Sequence, residues 1–126
     1  MDVTPVIPAG RQVIERYGEG RFKVTGQVWE GSILVRPTRT LSLAAKDFAG
    51  LDIDGLKPIF EADPEPLEIL LIGCGPRMAM IPPTLRAAVK AMGPAIDAMD
   101  TGAASRTYNV LMSEGRRVAA ALIAVT

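Results

Sequence analysis

Two styles of hydrophobic patterning divide the chain near Pro58. Before it, polar and apolar positions alternate in short runs, the period-2 signature of half-buried strands. Residues 13–17 are the first strand candidate, and residues 21–26 alternate polar and apolar as a second. Gly18 and Gly20 punctuate the chain between them. Residues 28–36 read as a third strand ended by Pro37, and Gly31 inside it marks a bulge or bend. Residues 39–43 supply a fourth candidate. These runs predict an N-terminal β-meander. A short helix is expected over 55–61, and Asp63-Pro64-Glu65-Pro66 forms a rigid turn after it.

The second half predicts a β-α-β-α-β unit. Residues 67–72 are nearly all apolar, as expected of a central parallel strand buried on both faces. Gly73-Cys74-Gly75-Pro76 closes that strand. Pro82-Pro83 opens a helix, since proline is tolerated in a first turn. Leu85, Ala88, Val89 and Met92 recur at helical spacing and are its expected buried face, with Arg86 and Lys90 opposite. Gly93-Pro94 stops it. Residues 95–99 form the next strand. Asp100 or Thr101 caps a helix to about Glu114 whose expected buried face is Ala103, Thr107, Val110 and Leu111. Residues 117–125 are a final apolar strand, and their small side chains predict close packing over it. The expected fold class is α/β, three-layered, with a mixed central sheet, a C-terminal β-α-β-α-β unit and an N-terminal β-meander. A length of 126 residues predicts one domain over 1–126.

Composition removes whole classes of chemistry. The chain has no histidine and one cysteine. Ser-His-Asp and Cys-His nucleophile activation, histidine general acid–base work and a zinc site of the usual N/S type are all excluded within one chain. No metal or cofactor is expected. The 14 basic and 14 acidic residues cancel, with no basic stripe of the kind nucleic-acid binders carry. Zero net charge gives little colloidal repulsion, so homo-oligomerisation stays open. The start of the chain lacks the basic and apolar regions of a signal peptide and the Arg/Ser-rich look of a transit peptide. No apolar run approaches the ~20 residues of a membrane span. The expected compartment is the cytoplasm.

Gly73 and Gly75 after a strand invite comparison with a dinucleotide fingerprint. The third glycine position is Met78, and the next helix starts too late to receive a phosphate. A tight strand-end turn accounts for both glycines. Cys74 lacks a histidine to activate it, and a small buried residue is the simpler assignment. Asp100 and Thr101 should lie with Gly73 at the carboxyl edge of the sheet, where open α/β sheets bind ligands and where a helix N-terminus favours an anion. Capping accounts for Asp100 and Thr101 without any ligand. Arg106, Asn109 and Ser113 form a polar strip on one flank of the same helix, with Arg106 able to reach Asp100 or an outside anion. Arg116 and Arg117 suit an acidic partner or complement the helix dipole.

The segments Leu70-Leu71-Ile72-Gly73-Cys74-Gly75, Met99-Asp100-Thr101-Gly102-Ala103-Ala104-Ser105-Arg106-Thr107-Tyr108-Asn109-Val110-Leu111 and Glu114-Gly115-Arg116-Arg117-Val118-Ala119-Ala120-Ala121-Leu122 resemble one family. It is the domain of unknown function shared by mitochondrial complex I assembly factor 3 and the adipogenesis-associated Mth-domain-containing protein. Tyr17-Gly18-Glu19-Gly20-Arg21-Phe22 and Gly31-Ser32-Ile33-Leu34-Val35 followed by Pro37 agree with it, so the resemblance spans nearly the whole chain. It implies a three-layer α/β Mth-like fold, no known enzymatic activity, and action through protein partners in respiratory complex assembly. The chain resembles the bacterial members. The family commonly carries Thr where this chain has Cys74 and Cys where it has Ser105, which argues against essential thiol chemistry.

Two readings stay open. One is a non-catalytic interaction or assembly module with a protein partner, using the meander or the Arg106/Asn109 strip. The other is a small anionic-ligand binder, or an enzyme without histidine, using Gly73, Gly75, Asp100, Thr101, Arg106 and Asn109 at the carboxyl edge. Nothing supplies a general base near neutral pH, which favours the first.

Overall fold

Hydrophobic runs in the second half assemble a mixed sheet around one very apolar strand. The computed structural model describes residues 10–126, so most of the N-terminal stretch read for targeting signals lies outside the described residues. Strand β6 (Ile69–Gly73) pairs in parallel with both β7 (Ala95–Met99) and β8 (Val118–Leu122). Helices α2 (Pro83–Ala91) and α3 (Thr101–Ser113) carry the crossovers, as parallel pairing requires. On the far side of β8 lie β4 (Ile33–Arg36), antiparallel to β8, and β5 (Arg39–Ser42), antiparallel to β4, giving the order β5-β4-β8-β6-β7.

The expected three layers are present. Leu34, Leu70, Ile72, Ala119 and Ala121 face one side, against Leu85 and Val89 of α2 and Leu56 and Ile59 of α1 (Ile53–Glu61). Ile33, Val35, Leu71, Ala120 and Leu122 face the other, against Ala104, Tyr108 and Met112 of α3. That second layer also holds a separate antiparallel sheet of β1 (Ile14–Gly18), β2 (Arg21–Val24) and β3 (Gln27–Glu30), which contributes Ile14, Phe22 and Val24. The alanines of β8 are fully buried between the two layers, so small side chains let helices approach both faces of the sheet.

Five expectations need correction. The run 28–36 is two strands: Gly31 adopts φ +80, a left-handed conformation that glycine tolerates. The chain turns there and leaves the meander for the five-stranded sheet. The fourth strand candidate, β5, follows β4 into that sheet. The buried face of α3 is Thr101, Gly102, Ala104, Ser105, Tyr108 and Met112. Val110 is 56% exposed. Burying the ring of Tyr108 and the length of Met112 removes more apolar surface than Val110 and Ala103 could, so the helix rolls toward them. The Tyr108 hydroxyl keeps a partner by donating to the Gln12 carbonyl at 2.8 Å. Met92, expected on the buried face of α2, sits at its C-terminal cap and is 41% exposed. Helix α1 starts two residues before the expected 55, because Asp52 caps it by accepting from the Gly55 N–H at 2.8 Å.

Candidate interaction face and the carboxyl edge

Gly73, Gly75, Asp100 and Thr101 do converge at the carboxyl edge, but as packed structure. Thr101 is buried, and its hydroxyl accepts from the Gly75 N–H at 2.9 Å and donates to the Ile123 carbonyl at 2.7 Å. The Thr101 N–H donates to the Gly75 carbonyl at 2.8 Å. A Cβ at Gly73 would lie 2.9 Å from Leu122 Cδ2 and 3.0 Å from Thr101 Cα, so glycine is needed there for close approach. Gly75 takes φ +105. Asp100 accepts from the Ala103 N–H at 2.9 Å as the N-cap. The backbone and hydroxyl groups that an anion would require here are already bonded to one another. This arrangement agrees with the capping account of Asp100 and Thr101 and gives no support to the alternative of a ligand edge, because strand ends and helix cap are hydrogen-bonded to one another. Cys74 is buried in the same turn, and desolvation pushes its thiol pKa up, the wrong direction for a nucleophile.

Arg106 and Asn109 have separate environments. Asn109 accepts from the Ile14 N–H at 3.0 Å and donates to the Ile14 carbonyl at 2.8 Å, imitating a strand partner along the outer edge of β1. Ser113 donates to the carbonyl of Val110 in its own helix. Arg106 is exposed and only reaches the Tyr17 hydroxyl at 3.5 Å. Arg116 and Arg117 lie far from both, where Arg116 grips Glu68 through two bonds of 3.0 and 3.2 Å and the Arg117 N–H donates to the same carboxylate. The Arg116 guanidinium and the Arg117 N–H together hold the Glu68 carboxyl below its ordinary range.

An open concavity lies on the meander. Two hairpins build it. Glu19-Gly20 and Thr25-Gly26 each occupy two-residue turns with positive φ at both positions, the type I′ geometry whose twist matches the strands. Thr25, a β-branched residue in an unfavourable φ of 46, is held by its hydroxyl, which accepts from the Val13 N–H and donates to the Arg11 carbonyl. These turns fix the register Arg16–Lys23–Val28 across the three strands. Phe22 and Val24 point inward, so Lys23 and its row face out. The result is an open groove of about 490 Å³ lined by Arg16, Tyr17, Lys23 and Val28, with Arg21 and Glu19 at its turn end.

Arg16 and Lys23 stand directly opposite each other. Like charges in that position destabilise an antiparallel pair. Arg21 has Glu30 at 3.0 Å, whereas no ion pair engages Arg16 or Lys23 among the described residues. Val28 is 55% exposed and Tyr17 41%. Sequence reasoning named the meander as a face but missed these residues. Strand alternation together with the Glu-Gly and Thr-Gly turn dipeptides was the signal that places them. Met78 and Met80 in the β6–α2 connection, 66% and 85% exposed, carried no such signal.

Among the described residues, no helix is long and apolar enough to cross a membrane, and no group of three or more His, Cys, Asp or Glu residues is placed to hold a metal ion. An uncharacterized protein of Rhodobacter capsulatus is 35% identical over 115 residues, covering 91% of this chain and 86% of that one. The NADH dehydrogenase (ubiquinone) 1 alpha subcomplex assembly factor 3 of Xenopus tropicalis is 31% identical over 87% of this chain, which spans 60% of that protein's length. Among solved structures, one described as an outer membrane protein from Bartonella henselae superposes with a TM-score of 0.84 at 34% identity, covering 93% of this chain and 98% of that one. The Bordetella pertussis Mth938-like domain superposes with a TM-score of 0.80 at 28% identity, covering 98% and 92%. The fold is Mth938-like, and the family model described as protein of unknown function (DUF498/DUF598) matches residues 14–123. This chain belongs to the DUF498/DUF598 family.

Proposed function

We propose that the chain is a non-catalytic interaction module that assists assembly of a respiratory NADH dehydrogenase, and that it receives an acidic segment of its protein partner in the meander groove. The likeness to assembly factor 3 supports the assembly role. The carrying observation is the unpaired Arg16–Lys23 row beside exposed Val28. A partner carboxylate would relieve the like-charge pair, and Val28 would supply an apolar contact of the kind that interfaces concentrate at their centre. This reading assigns the chain to the cytoplasm, in contact with a membrane enzyme under assembly.

Complementation tests it. In the organism that makes the chain, deletion should lower the amount of fully assembled NADH dehydrogenase on native gels. The wild type should restore it, while a folded Arg16→Glu/Lys23→Glu variant should not. Normal assembly in the deletion strain defeats the assembly role. Full rescue by the charge-reversed variant defeats the groove.

A further inference from the structure

We infer that a second site, at the opposite edge of the main sheet, binds a small oxyanion the size of phosphate, sulfate or a single carboxylate group. Its centre is Arg36, the last residue of β4. Arginine is almost never fully buried unless paired, yet Arg36 is 3% exposed. Its two terminal nitrogens donate to backbone carbonyls, of Ile59 at 2.9 Å and Glu65 at 2.8 Å. The nearest carboxylate, Asp63, stands 4.0 Å away. That carboxylate is already engaged, accepting from the Thr38 hydroxyl at 2.7 Å and the Glu65 N–H at 2.8 Å. The Nε of Arg36 is buried and has no hydrogen-bond partner among the described residues. A guanidinium is thus held in a desolvated place by neutral carbonyls, with one donor unused, an arrangement that costs stability unless an acceptor completes it.

Arg36 lines a cavity of about 60 Å³. The β4–β5 turn, the α1–β6 connection and the α3–β8 turn close around it, the last bringing Arg116 and Arg117. Arg11 lines it as well. Arg116 is taken up by Glu68. That leaves Arg11, Arg36 and Arg117 facing Asp63 and Glu65, one cation in excess. The volume is about twice the ~30 Å³ share of a water molecule and far below the ~300–1,000 Å³ of sites for larger ligands. An oxyanion fits the charge and the size, and guanidinium groups bind planar and tetrahedral oxyanions through their N–H donors. A nucleotide or a peptide does not fit.

The test is an amide NMR titration of the full chain with sodium sulfate, sodium phosphate and sodium acetate, each against sodium chloride at matched ionic strength. At least one oxyanion should give saturable shifts at Thr38, Glu65, Gly115 and Arg117, with no comparable response to chloride. Arg11→Gln and Arg117→Gln alter exposed residues and leave the core intact. Each should weaken binding by about tenfold or more, the worth of one charge-assisted hydrogen bond. Arg36→Met, if its amide spectrum shows it folded, should abolish binding. Shifts that follow ionic strength alone, that match those of chloride, or that persist unchanged in both exposed-arginine variants overturn the site. None of these outcomes bears on the meander groove, so the two proposals fail separately.

Discussion

At the scale of single residues, the carboxyl edge shows how one side chain can look like a ligand group and act as a fastener. Thr101 follows a strand, sits at a helix N-terminus and faces a glycine turn, the setting in which anions are bound. Its hydroxyl instead bridges two chain segments, satisfying the Gly75 N–H and the Ile123 carbonyl at once. Replacing it by valine keeps the shape and leaves both groups buried without partners. Each such orphan costs about 1–3 kcal/mol, so Thr101→Val should lose roughly 2–6 kcal/mol in urea unfolding. Thr101→Ser keeps the hydroxyl, gives up one methyl group, and should lose only about 1 kcal/mol. Equal losses for the two variants would show that packing of the methyl group, and not the bridge, is what the position provides.

At the scale of elements, the meander is tied to the rest of the molecule through α3, and Asn109 is the principal polar tie. Its amide occupies both backbone groups of Ile14 at the outer edge of β1, where an unpaired strand edge would otherwise invite association. Asn109→Ala should cost about 1–3 kcal/mol. The effect should be local: hydrogen exchange should quicken at Ile14 and along β1 and β2, with β6 and β8 unchanged. Uniform acceleration across all strands would mean that the meander and the main sheet open as one unit. Much of this arrangement was legible in the sequence. The run from Leu70 to Ile72 marked a central parallel strand, because a strand covered on both faces must be apolar throughout. The alternation over 21–24 marked a half-buried one. What was not legible depended on tertiary choice. Nothing local says that the chain changes sheets at Gly31, since a glycine inside a strand is equally compatible with a bulge. Nor does local periodicity decide whether α3 buries Tyr108 or Val110, because both lie on apolar stripes of one helix. The candidate site suffered more. Asp100, Thr101 and Gly73 were correctly brought together but already bonded to one another, whereas Arg16 and Lys23 become neighbours only through strand register. Arg36 reads from the sequence as a strand-end charge and is in fact buried.

At the scale of the whole molecule, acid and alkali should act on different parts of the fold. The carboxylates with depressed pKa values gather at the amino edge of the main sheet. Glu68 is held down first by the Arg116 guanidinium and then by the Arg117 N–H. Asp63 is held down first by the Glu65 N–H and then by the Thr38 hydroxyl. A group whose folded pKa is depressed stabilises the protein above its unfolded value, and that contribution is lost as pH falls through the folded value. The ordinary values are 4.5 for Glu68 and 3.8 for Asp63, so the acid limb should begin near the former and deepen below the latter. Cys74 and Tyr108 are shifted the opposite way, both by burial first. Their neutral forms stabilise the fold until the pH rises past the ordinary values of 9.0 and 10.0, where the unfolded chain ionises and the folded one resists. Between these limits the chain has no histidine to titrate. The urea midpoint should therefore form a plateau from about pH 5.5 to 8, fall on the acid side, and fall again in strong alkali. A Glu68→Gln/Asp63→Asn variant should flatten the acid limb while leaving the alkaline limb in place. If the double substitution leaves the acid limb unaltered, then the ties around Glu68 and Asp63 contribute nothing to folding, and acid stability is set by carboxylates elsewhere on the surface.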